Sequence, residues 1–133
     1  IDDSIDLYRD TEADFVATDL VMHLPRGTDV EVLSPAALRW ADEHATGVDR
    51  VHVTSSIYGN PYLFQLEPLR RPMEAGDLRV TVDTPADYEA VQAIVGELGD
   101  RPPSVEELVE LLARRPDIVA INSGVQQKAI DEG

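Results

Sequence analysis

A strand that turns directly into a helix is predicted by the stretch LRVTVDTPADY at residues 78–88. Apolar and polar residues alternate from Leu78 to Asp83, which is typical of a strand with one buried and one polar face. Thr84 followed by Pro85, with an acidic residue three positions after Thr84, indicates a helix start. Because open α/β folds bind ligands at the carboxyl ends of their strands, Asp83 is the strongest site candidate in the chain.

The segments on either side continue this alternation of strands and helices, which favours an α/β chain. Further strands are predicted at residues 15–17, 29–33 and 62–66. Further helices are predicted at the N-terminus, after Ser34, over residues 50–58, and from Ser104 to Pro116. We expect a single partial domain over residues 1–133, with a tail at residues 122–133 that is either loose or docked on a partner. The first residue is Ile1 rather than Met, which we interpret as a fragment or a processed chain.

The composition excludes several classes of function. A formal net charge of −15 argues against nucleic acid and anionic membrane surfaces as partners, because both require basic patches. With no cysteine, the chain has no disulfide, thiolate metal site or cysteine nucleophile. No apolar run reaches the length of a membrane span and no signal peptide is recognisable, so a cytoplasmic location is expected.

Asp83 has two interpretations from its position alone. A carboxylate at a strand end can hold Mg²⁺, which usually takes one or two carboxylates together with substrate phosphates. Alternatively, Asp83 caps the following helix or pairs with Arg79, and from the pattern these structural roles are about as well supported as the metal site.

Glu31 and His52 are further candidates for binding a ligand. Glu31 shares a predicted strand face with Asp29, although acidic residues on such a face are more often simply exposed to solvent. His52 can hydrogen-bond a ligand or transfer a proton, although a lone histidine is more often structural. The sequence contains no GxxxxGK[ST], GxGxxG or GxSxG motif. The residues alone therefore indicate an acidic α/β protein with a candidate carboxylate metal site.

Four stretches together resemble a known family. Residues 79–87 (RVTVDTPAD) are similar to the closing motif of sugar cytidylyltransferases, and residues 25–32 (PRGTDVEV) to the "PxGxDVEV" segment of their spore-coat-polysaccharide branch. Residues 50–61 are similar to the "REHVTPYIYxNP" stretch of that branch, which is related to the acylneuraminate and deoxy-octulosonate enzymes, and residues 117–128 to its C-terminal end. The chain departs at Val51, where the branch has Glu, and at Ser55-Ser56, where it has Pro-Tyr.

The resemblance implies the C-terminal half of a Rossmann-like mixed sheet of the nucleotide-diphospho-sugar transferase type, flanked by helices. It implies transfer of CMP from CTP to an acidic or related sugar, with Mg²⁺ on Asp83 and with Glu31, Arg50 and His52 facing the sugar. The nucleotide-binding loop and a first metal-binding Asp in a "GDxP" motif would lie in an N-terminal half. Partners implied are CTP, the sugar, and an N-terminal half or another subunit in an oligomer. The alternatives are a truncated, non-catalytic homologue that acts as a binding or assembly partner, and a sugar- or nucleotide-binding module without chemistry.

Overall fold

The computed structural model of the protein describes residues 1–126. These residues form two compact units. The first comprises Ile1–Met22 and Val30–Arg70, and the second comprises His23–Asp29 and the described residues from Arg71 onward. Among the described residues, no helix is long and apolar enough to cross a membrane. The single partial domain over residues 1–133 stays a prediction.

The first unit is built on a three-stranded mixed sheet in the order β2-β1-β3. The central strand β1 (Phe15–Ala17) pairs antiparallel with β2 (Glu31–Leu33) and parallel with β3 (Leu66–Pro68). All three residues of β1 are buried, as expected for an apolar strand that has a neighbour on each side. The strand predicted at residues 15–17 is confirmed, and the strand predicted at residues 29–33 is confirmed in its second half.

Three helices and one 3₁₀ segment accompany this sheet. They are α1 (Asp2–Thr11), α2 (Pro35–His44), the 3₁₀ segment (Gly47–Arg50) and α3 (Ser55–Tyr58). Ser34 caps α2 as predicted, since its hydroxyl oxygen accepts a hydrogen bond from the Ala37 backbone N–H at 3.0 Å. The core of the unit joins strand and helix residues: Phe15, Ala17, Ala37, Ala41 and Ile57.

Two predictions in this unit are wrong. Of the helix predicted over residues 50–58, only α3 forms an α-helix, and residues 51–54 form turns. Val51 and Val53 are β-branched and exposed, so neither propensity nor burial favours a helix there. The strand predicted at residues 62–66 is instead β3, which begins at Leu66. Before it the chain forms a turn, in which the Asn60 carbonyl oxygen accepts the Leu63 N–H at 2.9 Å.

The second unit contains three helices, α4 (Pro85–Leu98), α5 (Val105–Arg114) and α6 (Pro116–Asn122). Its core cluster comes from all three: Ile94, Leu108, Leu111, Leu112 and Ile118. Pro116 follows the end of α5 as predicted, but it also begins α6, which the sequence reading did not predict. Asn122 is buried at the end of α6, so the predicted loose tail does not start at residue 122. Residues 127–133 of that tail lie outside the described residues.

The predicted strand over residues 78–82 is not formed. The segment is extended, but its pairing is a single parallel bridge between Arg26 and Arg79. Gly27 has φ +97°, and a Cβ atom there would lie 2.9 Å from the Thr81 backbone nitrogen, so the two segments approach closely at this point. Val82 is exposed, contrary to the predicted apolar face. A strand needs a neighbour along its length, and alternation alone does not provide one.

Candidate functional site

The start of α4 is closed by a reciprocal capping box, as the sequence predicts. The Asp87 backbone N–H donates to the Thr84 hydroxyl oxygen at 3.2 Å. The Asp87 carboxylate in turn accepts the Thr84 backbone N–H at 3.0 Å and the Asp83 backbone N–H at 3.2 Å. These bonds satisfy N–H groups that have no partner within the helix.

The Asp87 carboxylate is also the centre of a buried ionic cluster. Its side chain is 0% exposed and receives the Arg79 guanidinium in a fork, with Nε–Oδ1 at 2.8 Å and Nη2–Oδ2 at 3.1 Å. Asn122 at the end of α6 donates to Oδ1 at 2.9 Å. The hydrogen bonds from Arg79 lower the pKa of Asp87 well below its ordinary value, and this effect outweighs burial, which acts in the opposite direction.

Asp83 lies at the edge of this cluster and remains 60% exposed. Its Oδ2 accepts a hydrogen bond from Arg79 Nη2 at 2.6 Å. Of the two structural alternatives for Asp83, pairing with Arg79 is therefore present, whereas Asp87 does the capping. This contact engages one of the two carboxylate oxygens of Asp83.

Within residues 1–126, no group of three or more His, Asp or Glu side chains is placed to hold a metal ion. A metal cage built by these residues is thus not present. Asp83 offers a single exposed carboxylate, and Mg²⁺ sites are commonly completed by water and substrate phosphates. The donor set at Asp83 fits a site of that kind.

The other three predicted site residues, Glu31, Arg50 and His52, lie in the first unit. Glu31, at the start of β2, accepts a hydrogen bond from the Thr54 hydroxyl at 3.0 Å. This bond places Glu31 beside the turn at residues 51–54, which carries His52 and directly follows Arg50. His52 Nε2 is buried without a hydrogen-bond partner among the described residues, which is a costly arrangement for a polar atom.

Arg50 is half exposed and donates to the Asp42 carbonyl oxygen at 2.8 Å and to the Asp42 carboxylate at 3.0 Å. It borders an open groove between α2 and the 3₁₀ segment. Leu38, Ala41, Asp42, Ala45, Asp49 and Val53 form the rest of its lining. The half-exposed Arg50 guanidinium therefore borders a groove that is lined by apolar and acidic side chains.

Sequence reasoning missed Tyr58 and its surroundings. Burial raises the pKa of Tyr58, and the nearby carboxylates of Asp19, Glu31 and Asp49 raise it further. Asp49 also accepts a hydrogen bond from the Ser55 hydroxyl. Because these residues come from four separated segments, no local spacing in the sequence could have brought them together.

The chain is similar in sequence to two known proteins. It is 41% identical over 69 residues to the spore coat polysaccharide biosynthesis protein SpsF of Bacillus subtilis, a match that covers 50% of this chain and 29% of SpsF. It is 29% identical over 135 residues to the uncharacterized protein MJ1063 of Methanocaldococcus jannaschii, a match that covers 99% of this chain and 54% of the relative. No family model matches the chain.

Among solved structures, the chain is similar to a cytidylyltransferase from Leptospira borgpetersenii, with a TM-score of 0.80 and 20% sequence identity. The match covers 95% of this chain and 53% of that structure. The predicted α/β fold, with a mixed sheet flanked by helices, is thereby confirmed. The chain spans about half, or less, of the length of each of these proteins.

Proposed function

We propose that this chain, which is related to the sugar cytidylyltransferases, forms the C-terminal part of an enzyme that transfers CMP from CTP to a sugar. This relationship was predicted from the sequence, and the match to SpsF and the fold shared with a cytidylyltransferase support it. The sugar is an acidic or related one, and the product serves surface polysaccharide or glycan biosynthesis. The reaction joins a sugar hydroxyl to the α-phosphate of CTP and releases pyrophosphate.

Asp83 carries this proposal, because it is an exposed carboxylate directly before a capped helix. In the proposed role, Asp83 holds Mg²⁺, which neutralises charge on the reacting phosphates. The chain itself has a net charge of −15, so a triphosphate needs a counter-charge of this kind. Asp87 is not a second ligand in this proposal, because its oxygens are already bonded to Arg79 and Asn122.

We assign Glu31, Arg50 and His52 to the sugar. The Arg50 guanidinium is half exposed beside the groove and can pair with a sugar carboxylate. Glu31 can accept hydrogen bonds from sugar hydroxyls alongside Thr54. His52 Nε2 is shielded from solvent, so its contact with a ligand requires the turn at residues 51–54 to open.

The test is pyrophosphate release from CTP, Mg²⁺ and a panel of acidic sugars. The chain is assayed alone and after co-expression with the N-terminal half of a cytidylyltransferase. Asp83→Asn should lower the rate at least about 100-fold, because loss of a metal carboxylate removes several kcal/mol of charge stabilisation. Asp77→Asn, an exposed aspartate of the same unit, is the matched control and should leave the rate unchanged.

An Asp83→Asn rate within about threefold of wild type would show that Asp83 does not hold the metal. Calorimetry with CTP and Mg²⁺ separates the remaining alternatives. Binding without turnover would favour a nucleotide-binding module, and the absence of both would favour a non-catalytic assembly partner.

A further inference from the structure

We infer that Arg79 is a positioning residue for Asp83: the buried Asp87 and Asn122 hold its guanidinium, which in turn fixes the orientation of the exposed Asp83 carboxylate. This inference rests on the proposed function for its biological meaning, because Asp83 is the proposed metal ligand. The orientation of Asp83 can nevertheless be measured without any activity.

Arg79 is anchored independently of Asp83. Its side chain is 9% exposed, and two of its nitrogens bond the two oxygens of Asp87. A planar guanidinium held through two parallel bonds has its plane fixed, which a single bond does not achieve. The position of Nη2 is thus set by a buried carboxylate.

Asp87, which anchors Arg79, is itself held in place by several bonds. It accepts hydrogen bonds from Arg79, from the Asn122 side chain, from the Thr84 hydroxyl, and from the backbone N–H groups of Asp83 and Thr84. Asn122 also donates to the Arg79 carbonyl oxygen at 3.3 Å, so it contacts both partners of the ion pair. Buried polar groups that are satisfied this completely have a single arrangement.

Asp83 is contacted twice by this pair of residues, Arg79 and Asp87. Its backbone N–H donates to Asp87, and its Oδ2 accepts from Arg79 Nη2 at 2.6 Å. An exposed aspartate without such contacts would exchange between rotamers. Because its backbone N–H and one side-chain oxygen are both held, Asp83 is restricted to one χ1 rotamer, which lowers the entropy cost of binding a cation.

The test uses NMR of the full chain. Three-bond couplings should show a single χ1 rotamer for Asp83 in the wild type and averaging over rotamers in Arg79→Lys, which keeps the charge but loses the fork. Arg101→Lys, at the exposed ion pair before α5, is the matched control and should leave the Asp83 couplings unchanged. Unchanged Asp83 couplings in Arg79→Lys would overturn the inference.

If Arg79→Lys fails to fold, a second variant tests whether Arg79 is held by Asp87 or by Asp83. In Asp83→Ala, the Arg79 Nε–H should keep its slow hydrogen exchange, within about threefold of wild type, because Asp87 anchors it. Loss of that protection would mean that Asp83 anchors Arg79, which overturns the inference. Paramagnetic broadening of Asp83 by Mn²⁺ in the presence of CTP tests the proposed function separately. Absence of broadening contradicts the metal role, whereas the couplings still decide the orientation of Asp83.

Discussion

The helices α4 and α5 begin with the same chemistry in two different environments. Each start has a hydroxyl cap, an acidic residue three positions on that returns a bond to the cap, and an arginine that pairs with that acid. At α5 the ion pair joins Arg101 and Glu107 at 2.7 Å and both side chains are about half exposed. At α4 the pair joins Arg79 and Asp87, and both side chains are buried. Similar capping bonds and arginine pairs therefore lie at the surface at α5 and at the centre of a packed cluster at α4.

Burial, rather than the capping motif, determines how much stability is lost when one of these bonds is removed. An exposed ion pair exchanges its bonds with water at little cost. A buried pair cannot, and removal of one partner leaves the other charged and unsatisfied. The α4 start should therefore respond strongly to substitutions that the α5 start tolerates.

The largest effect is expected from loss of the buried acid. Asp87→Ala should lower the free energy of unfolding by about 3–5 kcal/mol, because the largely buried Arg79 guanidinium loses both bonds to its buried carboxylate partner. Glu107→Ala, at the equivalent position of α5, should cause a much smaller loss. Urea denaturation of both variants measures the comparison, and equal losses would show that burial does not distinguish the two sites.

The pH dependence of stability should reveal the same contrast. The pKa of Asp87 in the folded state lies below its ordinary value of 3.8, so its contribution is complete above that value and is lost as the pH falls below it. Hydrogen bonds from Arg101 lower the pKa of Glu107 to about 2, so its contribution is lost between its ordinary value of 4.5 and that pH.

The stability difference between wild type and Asp87→Asn should therefore be largest above pH 5 and should narrow towards pH 2. Glu107→Gln is the control, and its curve should stay closer to that of the wild type because its carboxylate is exposed. Urea denaturation at a series of pH values gives both curves. Parallel curves for wild type and Asp87→Asn would contradict a charged, paired Asp87.

The sequence predicted both helix starts correctly, because a capping box is a local signal within four residues. It did not distinguish them, since nothing near residues 79–87 indicates burial of the pair. The decisive partner, Asn122, lies 35 residues after Asp87 on a helix that the sequence reading did not predict. Glu31 and the segment at residues 50–58 were likewise named from the sequence, but the Thr54 bond that joins them depends on tertiary structure.

The strand predicted over residues 78–82 failed for a related reason. Alternation describes the side chains of one segment, whereas a strand also needs a partner for its backbone groups. Among residues 1–126, the partner of this segment is Arg26, which provides one bridge. The segment owes its extended form to that bridge and to the cluster at Arg79, which the pattern alone could not indicate.

The smallest effect is expected from the hydroxyl caps. Thr84→Ala should cost about 1–2 kcal/mol, because the Thr84 hydroxyl both accepts the Asp87 N–H and donates to the Asp87 carboxylate. Ser104→Ala removes a cap of the same kind at an exposed position and should cost about 0.5–1 kcal/mol. Thermal or urea unfolding measures both.

Thr84→Ser is the control, because it keeps the hydroxyl and should recover most of the lost stability. A serine variant as unstable as the alanine variant would show that the lost methyl group, rather than the hydroxyl, causes the effect. An equal loss at Ser104 would mean that the capping bond, and not its connection to the buried carboxylate, determines the stability of the α4 start.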